Sequence, residues 1–262
     1  METKRVVIKV GTNVMTNKDD RIVRPVLESL VKQIAELYDR DIHTILISSG
    51  SAIAGKEILG DCTVEDPNIR RQVFSSIGQP RLMRMYYQLF HDYGLTSAQV
   101  LATKRDFNPG VHRENMINCY EGLISQGVIP IANEDDATSV SHSMFSDNDE
   151  LASLVAELTK ADMMIILTDI DGFYTGHPED EDSEVLPEVT PAQNIEKYIQ
   201  DSEKDEHQGR GGMESKVKIA KETASKDIPT YIANGKMDNV ILDIIDGKDV
   251  GTVFRKKAEI QH

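Results

Sequence analysis

Six short apolar runs punctuate the chain, at Arg5–Val10, Thr44–Ser48, Ser97–Leu101, Val128–Ile131, Met163–Thr168 and Thr230–Ala233. Each is rich in Val, Ile or Leu and of strand length, the pattern of strands buried on both faces. Between the first two, Pro25–Asp39 carries Val26, Leu30, Ile34 and Tyr38 at helical spacing behind a proline suited to a first turn. Similar periodicity predicts helices at Asn68–Tyr93, Arg113–Gln126, Asp147–Thr159, Met213–Lys226 and Asn239–Asp246. Strands alternating with helices from end to end predict a mostly parallel sheet covered by helices. In such sheets ligands sit beyond the carboxyl ends of the strands, so the residues just after each strand are the ones to weigh.

Composition narrows the class. Charged residues at 28% and hydrophobic ones at 39% are a globular balance, and the longest apolar run, Met163–Leu167, is too short to cross a bilayer. The N-terminus passes directly into the first strand without a secretory signal pattern, and Cys62 and Cys119 give neither a disulfide framework nor metal-ligand spacing. A cytoplasmic protein fits. A net charge of −15 opposes broad contact with nucleic acid phosphates, so the expected partner is a small molecule. The acidic run Pro178–Glu184 and the polar stretch Asp201–His207 read as mobile surface loops.

The turn Lys9-Val10-Gly11-Thr12-Asn13 ends the first strand with a lysine, and its glycine allows backbone N–H groups close to a phosphate. Taken alone it serves equally well as an edge-strand lysine before an ordinary turn. The stretch Ser48 to Glu57 approaches a phosphate-binding P-loop, with Gly50, Gly55 and Lys56 in place, but Glu57 stands where a Ser or Thr would hold magnesium. That leaves a small-residue turn from strand to helix with free hydroxyls. After the fourth strand, Asn133-Glu134-Asp135-Asp136 is followed by Ser146-Asp147-Asn148-Asp149, a crowd of carboxylates that needs cations to offset it. A capping box from Asp147 to Glu150 accounts for two of these residues and leaves Asp136, Asn148 and Asp149 unexplained.

Thr168-Asp169 follows the most apolar strand, where a nucleotide's base or ribose would lie. The run Gly209-Arg210-Gly211-Gly212-Met213-Glu214-Ser215-Lys216 opens a helix with a lysine on its first turn. That reads as an anion site more readily than as a bare loop. No His-rich metal pattern and no G-x-S-x-G elbow supports a metalloenzyme or serine hydrolase.

In this order, Lys9-Val-Gly-Thr, Ser49-Gly50, Asn133 to Asp136, Asp147 to Asp149, Thr168-Asp169 and Gly211 to Lys216 resemble the glutamate 5-kinases of the amino acid kinase superfamily. The likeness runs from about Val6 to Phe254. Relatives such as acetylglutamate kinase usually carry a second glycine after the strand-one lysine, whereas Gly11-Thr12 follows the glutamate 5-kinase pattern.

The resemblance implies a single three-layer α/β/α domain over residues 1–262, with a substrate half to about residue 160 and a nucleotide half from 161 to 256. It implies transfer of phosphate from ATP, with Mg2+ carried by the nucleotide and no direct protein ligand, to the side-chain carboxylate of L-glutamate. It further implies Lys9, Asp149 and Lys216 as catalytic residues and Ser49, Gly50, Asn133, Asp136 and Asn148 as substrate ligands. Lys9, Gly11, Thr168, Asp169, Arg210, Gly211, Gly212, Met213, Glu214, Ser215 and Lys216 are the implied nucleotide ligands. A homo-oligomer, dimer or tetramer, with proline as feedback inhibitor completes the expectation.

Three features depart from the pattern. The chain ends at His262 without the further C-terminal domain, of the type found in RNA-modifying enzymes, that many members carry. Asp135 stands where asparagine is common, and Pro178–Glu184 is an acidic insert. The rivals are kinases acting on acetylglutamate, carbamate or a nucleoside monophosphate, or a silent sensor of glutamate or proline.

Overall fold

In the computed structural model, which describes residues 3–139, 144–195, 198 and 212–256, one eight-stranded sheet runs through the molecule. Its strands are β1 (Arg5–Val10), β2 (His43–Ser48), β3 (Thr96–Ala102), β4 (Val128–Glu134), β5 (Met163–Thr168), β6 (Glu188–Val189), β7 (Thr230–Asn234) and β8 (Thr252–Phe254). They lie in the order β3-β4-β2-β1-β5-β7-β8-β6, with every pair parallel except β7 with β8. All six strands expected from the apolar runs are present. The short β6 and β8 are additional, since two or three residues carry no readable period.

The helices are α1 (Thr12–Met15), α2 (Arg24–Asp39), α3 (Ser51–Leu59), α4 (Pro67–Asp92), α5 (Val111–Ser125), α6 (Asn148–Leu158), α7 (Met213–Ser225) and α8 (Val240–Ile245), with a 3-10 turn at Lys104–Phe107. Strand side chains alternate between two separate cores, as a period of two requires. Val6, Ile8, Val10, Leu46, Ile131, Ile165 and Leu167 pack with α2, α4 and α8 residues such as Leu27, Ile34, Leu82 and Ile241. Val7, Ile45, Ile47, Ala132, Met164 and Ile166 pack on the opposite face with Tyr120, Leu151, Val155, Val217 and Ala220 of α5, α6 and α7. The result is the expected three-layer α/β/α sandwich. Among the described residues no helix is long and apolar enough to cross a membrane.

β1 is a central strand, flanked by β2 and β5, so Lys9 is not an edge-strand lysine. The near P-loop also resolves. Gly55 of α3 and Gly78 of α4 let the two helices touch backbone to backbone, since a Cβ at either would stand 1.8 Å from a carbonyl oxygen of the other helix. Lys56 pairs with Asp20 at 3.0 Å and Glu57 with Arg81 at 2.6 Å, on the outer side of that helix pair. The acidic run Pro178–Glu184 lies in an excursion closed by a bridge between Tyr174 and Val185 and by Thr175 N–H to the Glu184 carbonyl at 2.9 Å. The excursion is hydrogen-bonded at its base. Asp201–His207 lies outside the described residues.

Candidate active site

The carboxyl ends of β1, β2, β4 and β5 open into a cleft of about 490 Å³. Its walls include Lys9, Gly11, Ser49, Gly50, Asn133, Asp136, Asn148, Thr168, Asp169, Met213 and Lys216. Eleven residues from four separated strand ends and two helix starts thus converge.

Beneath the cleft Asp149 is fully buried between two ammonium groups. Lys9 Nζ stands 2.7 Å from one carboxylate oxygen and Lys216 Nζ 3.3 Å from the other. Strand parity explains the first contact: Lys9 shares its face of β1 with Val7, the face that α6 covers. Helix spacing explains the second. Lys216, Ala220 and Thr223 recur along one side of α7, and Thr223 meets Ser153 of α6 through hydroxyls 2.7 Å apart. The Asp149 oxygens have no further hydrogen bond among the described residues. Burial alone would push this carboxyl up. The charges of Lys9 and Lys216 outweigh it and hold the carboxyl below its ordinary value. The triad carries two positive charges and one negative, a net positive charge at the floor of the cleft.

α6 is aimed by its cap. Asp147 accepts from the backbone N–H of Asp149 at 2.9 Å and of Glu150 at 3.0 Å, and its second oxygen takes the Ser215 hydroxyl at 2.5 Å. The cap therefore ties the start of α6 to the start of α7. The capping box is not reciprocal: Glu150 accepts from the backbone and hydroxyl of Ser146 instead of from Asp147. Asn148 donates through its amide to Asn133 Oδ1 at 3.0 Å, the Ser49 hydroxyl at 3.0 Å and the Ser48 carbonyl at 3.3 Å. Asn133 in turn donates to Gln79 of α4 at 2.9 Å. With its amide nitrogen committed, Asn148 keeps its carbonyl oxygen as the acceptor.

On the other side, Gly11 N–H donates to the Leu167 carbonyl at 3.1 Å, which brings the strand-one turn against the end of β5. A Cβ at Gly11 would stand 3.2 Å from that same oxygen, so the close approach needs a small residue. Asp169 accepts from Asn13 at 3.3 Å and from Thr168 at 3.3 Å. Gly212 caps α7 without a side chain, leaving first-turn N–H groups near Lys216. Glu214 is exposed on that turn and does not line the cleft, and Arg210 and Gly211 lie outside the described residues. Asp149 and Ser215 act through neighbours rather than as walls.

Sequence reasoning missed Arg71 of α4. Its Nε donates to Asp136 Oδ1 at 2.8 Å and its Nη2 to Glu134 Oε2 at 3.0 Å. Glu134 is buried, and burial first, then the nearby Asp136 charge, raises its pKa against the pull of Arg71. No three His, Cys, Asp or Glu side chains among the described residues form a metal-binding group.

A sequence model described as "Amino acid kinase family" matches residues 4–234. The chain belongs to the amino acid kinase family. Within the family it is similar to glutamate 5-kinase of Bacteroides thetaiotaomicron, 41% identical over 95% of this chain and 68% of that protein. The glutamate 5-kinase of Alkaliphilus metalliredigens is 34% identical over 97% of this chain and 96% of its own length. Solved structures agree on the fold. A UMP kinase from Bacillus anthracis superimposes with a TM-score of 0.69 at 14% identity, covering 98% of both chains. A carbamate kinase from Giardia lamblia bound to AMP-PNP gives 0.68 at 19% identity, covering 97% of this chain and 99% of that one. At such identities the family's shared architecture is what is being matched, and substrate choice rests on the site.

Proposed function

We propose that this chain transfers the γ-phosphoryl group of ATP to the side-chain carboxylate of L-glutamate, giving L-glutamyl 5-phosphate and ADP, the first step of proline biosynthesis. The observation that carries the reading is the Lys9–Asp149–Lys216 triad, its carboxylate fully buried, under a cleft lined by Ser49, Asn133, Asp136, Asn148, Thr168 and Asp169.

The acceptor needs no general base. A glutamate side chain with a pKa of about 4.3 is ionised near neutrality and attacks as it stands. What remains is positioning and stabilisation of negative charge, which make up nearly all of phosphoryl-transfer catalysis. Lys9 and Lys216, held apart by Asp149, place two ammonium groups where charge develops on the transferring group and the leaving oxygen. Asp136, the Asn148 carbonyl and Ser49 are proposed to hold the α-ammonium and α-carboxylate of glutamate, with Gly50 and Asn133 shaping the pocket. Thr168, Asp169, Gly11 and the segment from Arg210 to Lys216 are proposed to take the nucleotide.

The polar side chains proposed for the nucleotide end include the Lys9 and Lys216 ammonium groups, the Thr12 and Thr168 hydroxyls, the Asn13 amide and the Asp169 carboxylate. That set fits a polyphosphate, and magnesium is proposed to arrive on ATP, where it would neutralise phosphate charge.

A coupled ADP-release assay tests the function. Turnover is expected with L-glutamate and not with N-acetylglutamate, carbamate or UMP, and the same assay with proline added reads end-product inhibition. ADP release with one of the other acceptors and none with glutamate would overturn the assignment.

A further inference from the structure

Two carboxylates with little exposure lie side by side at the end of β4. The side chain of Glu134 is 3% exposed and that of Asp136 8%, and one guanidinium from α4 bridges them. We infer that Arg71 is a positioning residue of the amino-acid site, its planar fork pairing Glu134 with Asp136 and aiming them so that Asp136 can receive the substrate's α-ammonium. The inference rests on the glutamate reading above.

The geometry is specific. Nε and Nη2 of one guanidinium serve two different carboxylates at 2.8 and 3.0 Å, an arrangement that the point charge of a lysine cannot reproduce. Glu134 is also held from the far side by the Phe145 backbone N–H at 3.1 Å, in the segment that leads to the Asp147 cap. Arg71 therefore connects α4, the end of β4 and the approach to α6.

The charge count makes the same point. Two carboxylates and one guanidinium leave a single negative charge, which one ammonium group balances. Without Arg71 two adjacent buried carboxylates would compete for a proton, and a protonated Asp136 would present a donor to the ammonium. Other charged groups lining the cleft are Lys9 from β1, Asp147 before α6, Asp169 after β5 and Lys216 from α7. Asp135, on the same segment as the pair, is turned to Ala137 N–H and the Thr138 hydroxyl.

The test compares the wild type with R71M, R71K and R71M/E134Q. Folding is checked by circular dichroism, and kcat and both KM values are measured from pH 6 to 9. R71M is expected to raise the glutamate KM about tenfold or more at pH 7, with the ATP KM within about twofold, and the defect is expected to shrink toward pH 9. R71K keeps the charge and loses the fork, so its glutamate KM rises while its pH profile follows the wild type. R71M/E134Q removes the competing carboxylate and restores a flat profile, which keeps the test open if R71M does not fold.

A second readout is independent of turnover. Carbon-13 titration of side-chain carboxyls should find a group in R71M that protonates at higher pH than any in the wild type. If the wild type turns over no glutamate, the proposed function fails while this titration still judges Arg71. Equal rises in both KM values, a pH profile parallel to the wild type in R71M, or an unchanged carboxyl titration would overturn the inference.

Discussion

Asp149, itself fully buried, holds two ammonium groups at the floor of the cleft, so its removal is felt twice. In Asp149→Asn buried Lys9 and half-buried Lys216 face each other without an anion between them, and breaking such a largely buried pair costs about 3–5 kcal/mol. The sign of the pH dependence follows from the direction of the shift. The folded carboxyl lies below its ordinary value, so its stabilisation is complete above the unfolded pKa of about 3.9 and is lost as pH falls through the folded value. Urea melts of wild type and variant should differ by a constant amount between pH 6 and 8 and converge in acid below about pH 4. A difference that instead grows toward acid would contradict the triad.

Lys216 has more access to the cleft and a different expected phenotype. Lys216→Ala should remain folded and lose about 10²–10³-fold in kcat, the usual cost of removing one preorganised charge-stabilising group. Near-wild-type turnover would sink its role. Lys9 and Lys216 were legible in the sequence because each sits at the end of a strand or the start of a helix beside glycine. Arg71 was not, because Arg70-Arg71 near the start of a long helix looks like any solvated face. Only the packing of α4 over β4 turns one of the two inward.

The contact of α3 with α4 is where elements decide the site. Ser49 and Gly50 lead into α3, and Gly50 takes the left-handed φ of +91° that starts the helix. A Cβ at Gly78 would meet the Ser51 carbonyl oxygen at 1.8 Å, so Gly78→Ala must push the two helices apart. The expected cost is about 2–3 kcal/mol of overpacking, read as a lower urea midpoint, together with a raised glutamate KM as Ser49 moves. Gly122→Ala is the control. It lies within α5 with no atom within 4 Å of the added Cβ, and should be neutral or gain about 0.5–1 kcal/mol. If both variants melt alike, the close helix contact carries no weight.

The apolar runs predicted the long strands and helices well because a buried parallel strand and an amphipathic helix have distinct periods. They could not show that Gly55 and Gly78 face each other, since a glycine in a helix reads as a weakness until its neighbour is known. The same holds for Gly50 to Lys56, whose likeness to a P-loop comes from helix packing.

At the scale of the molecule, the cleft joins contributions from β1, β2 and β4 on one side to those of β5 and the start of α7 on the other. Substrates that fill it should add stability in proportion to their occupancy. A ligand at a hundred times its dissociation constant contributes about 2.7 kcal/mol. In a chain of this size that is a rise of about 5–10 °C in melting temperature. The proposed subsites make this separable. Lys216→Ala should lose most of the shift produced by ATP and keep that produced by glutamate, while Asp136→Ala should do the reverse. The net charge of −15 works against both anionic ligands at long range, so a specific shift with either one must come from local cations and donors in the cleft. Thermal melts of the three proteins with each ligand alone at 0.15 M salt measure all of this at once. If each variant loses both shifts together, the amino-acid and nucleotide ends do not act as distinct subsites and the division of roles fails. If each loses only its own, the cleft is two sites sharing the Lys9–Asp149–Lys216 floor.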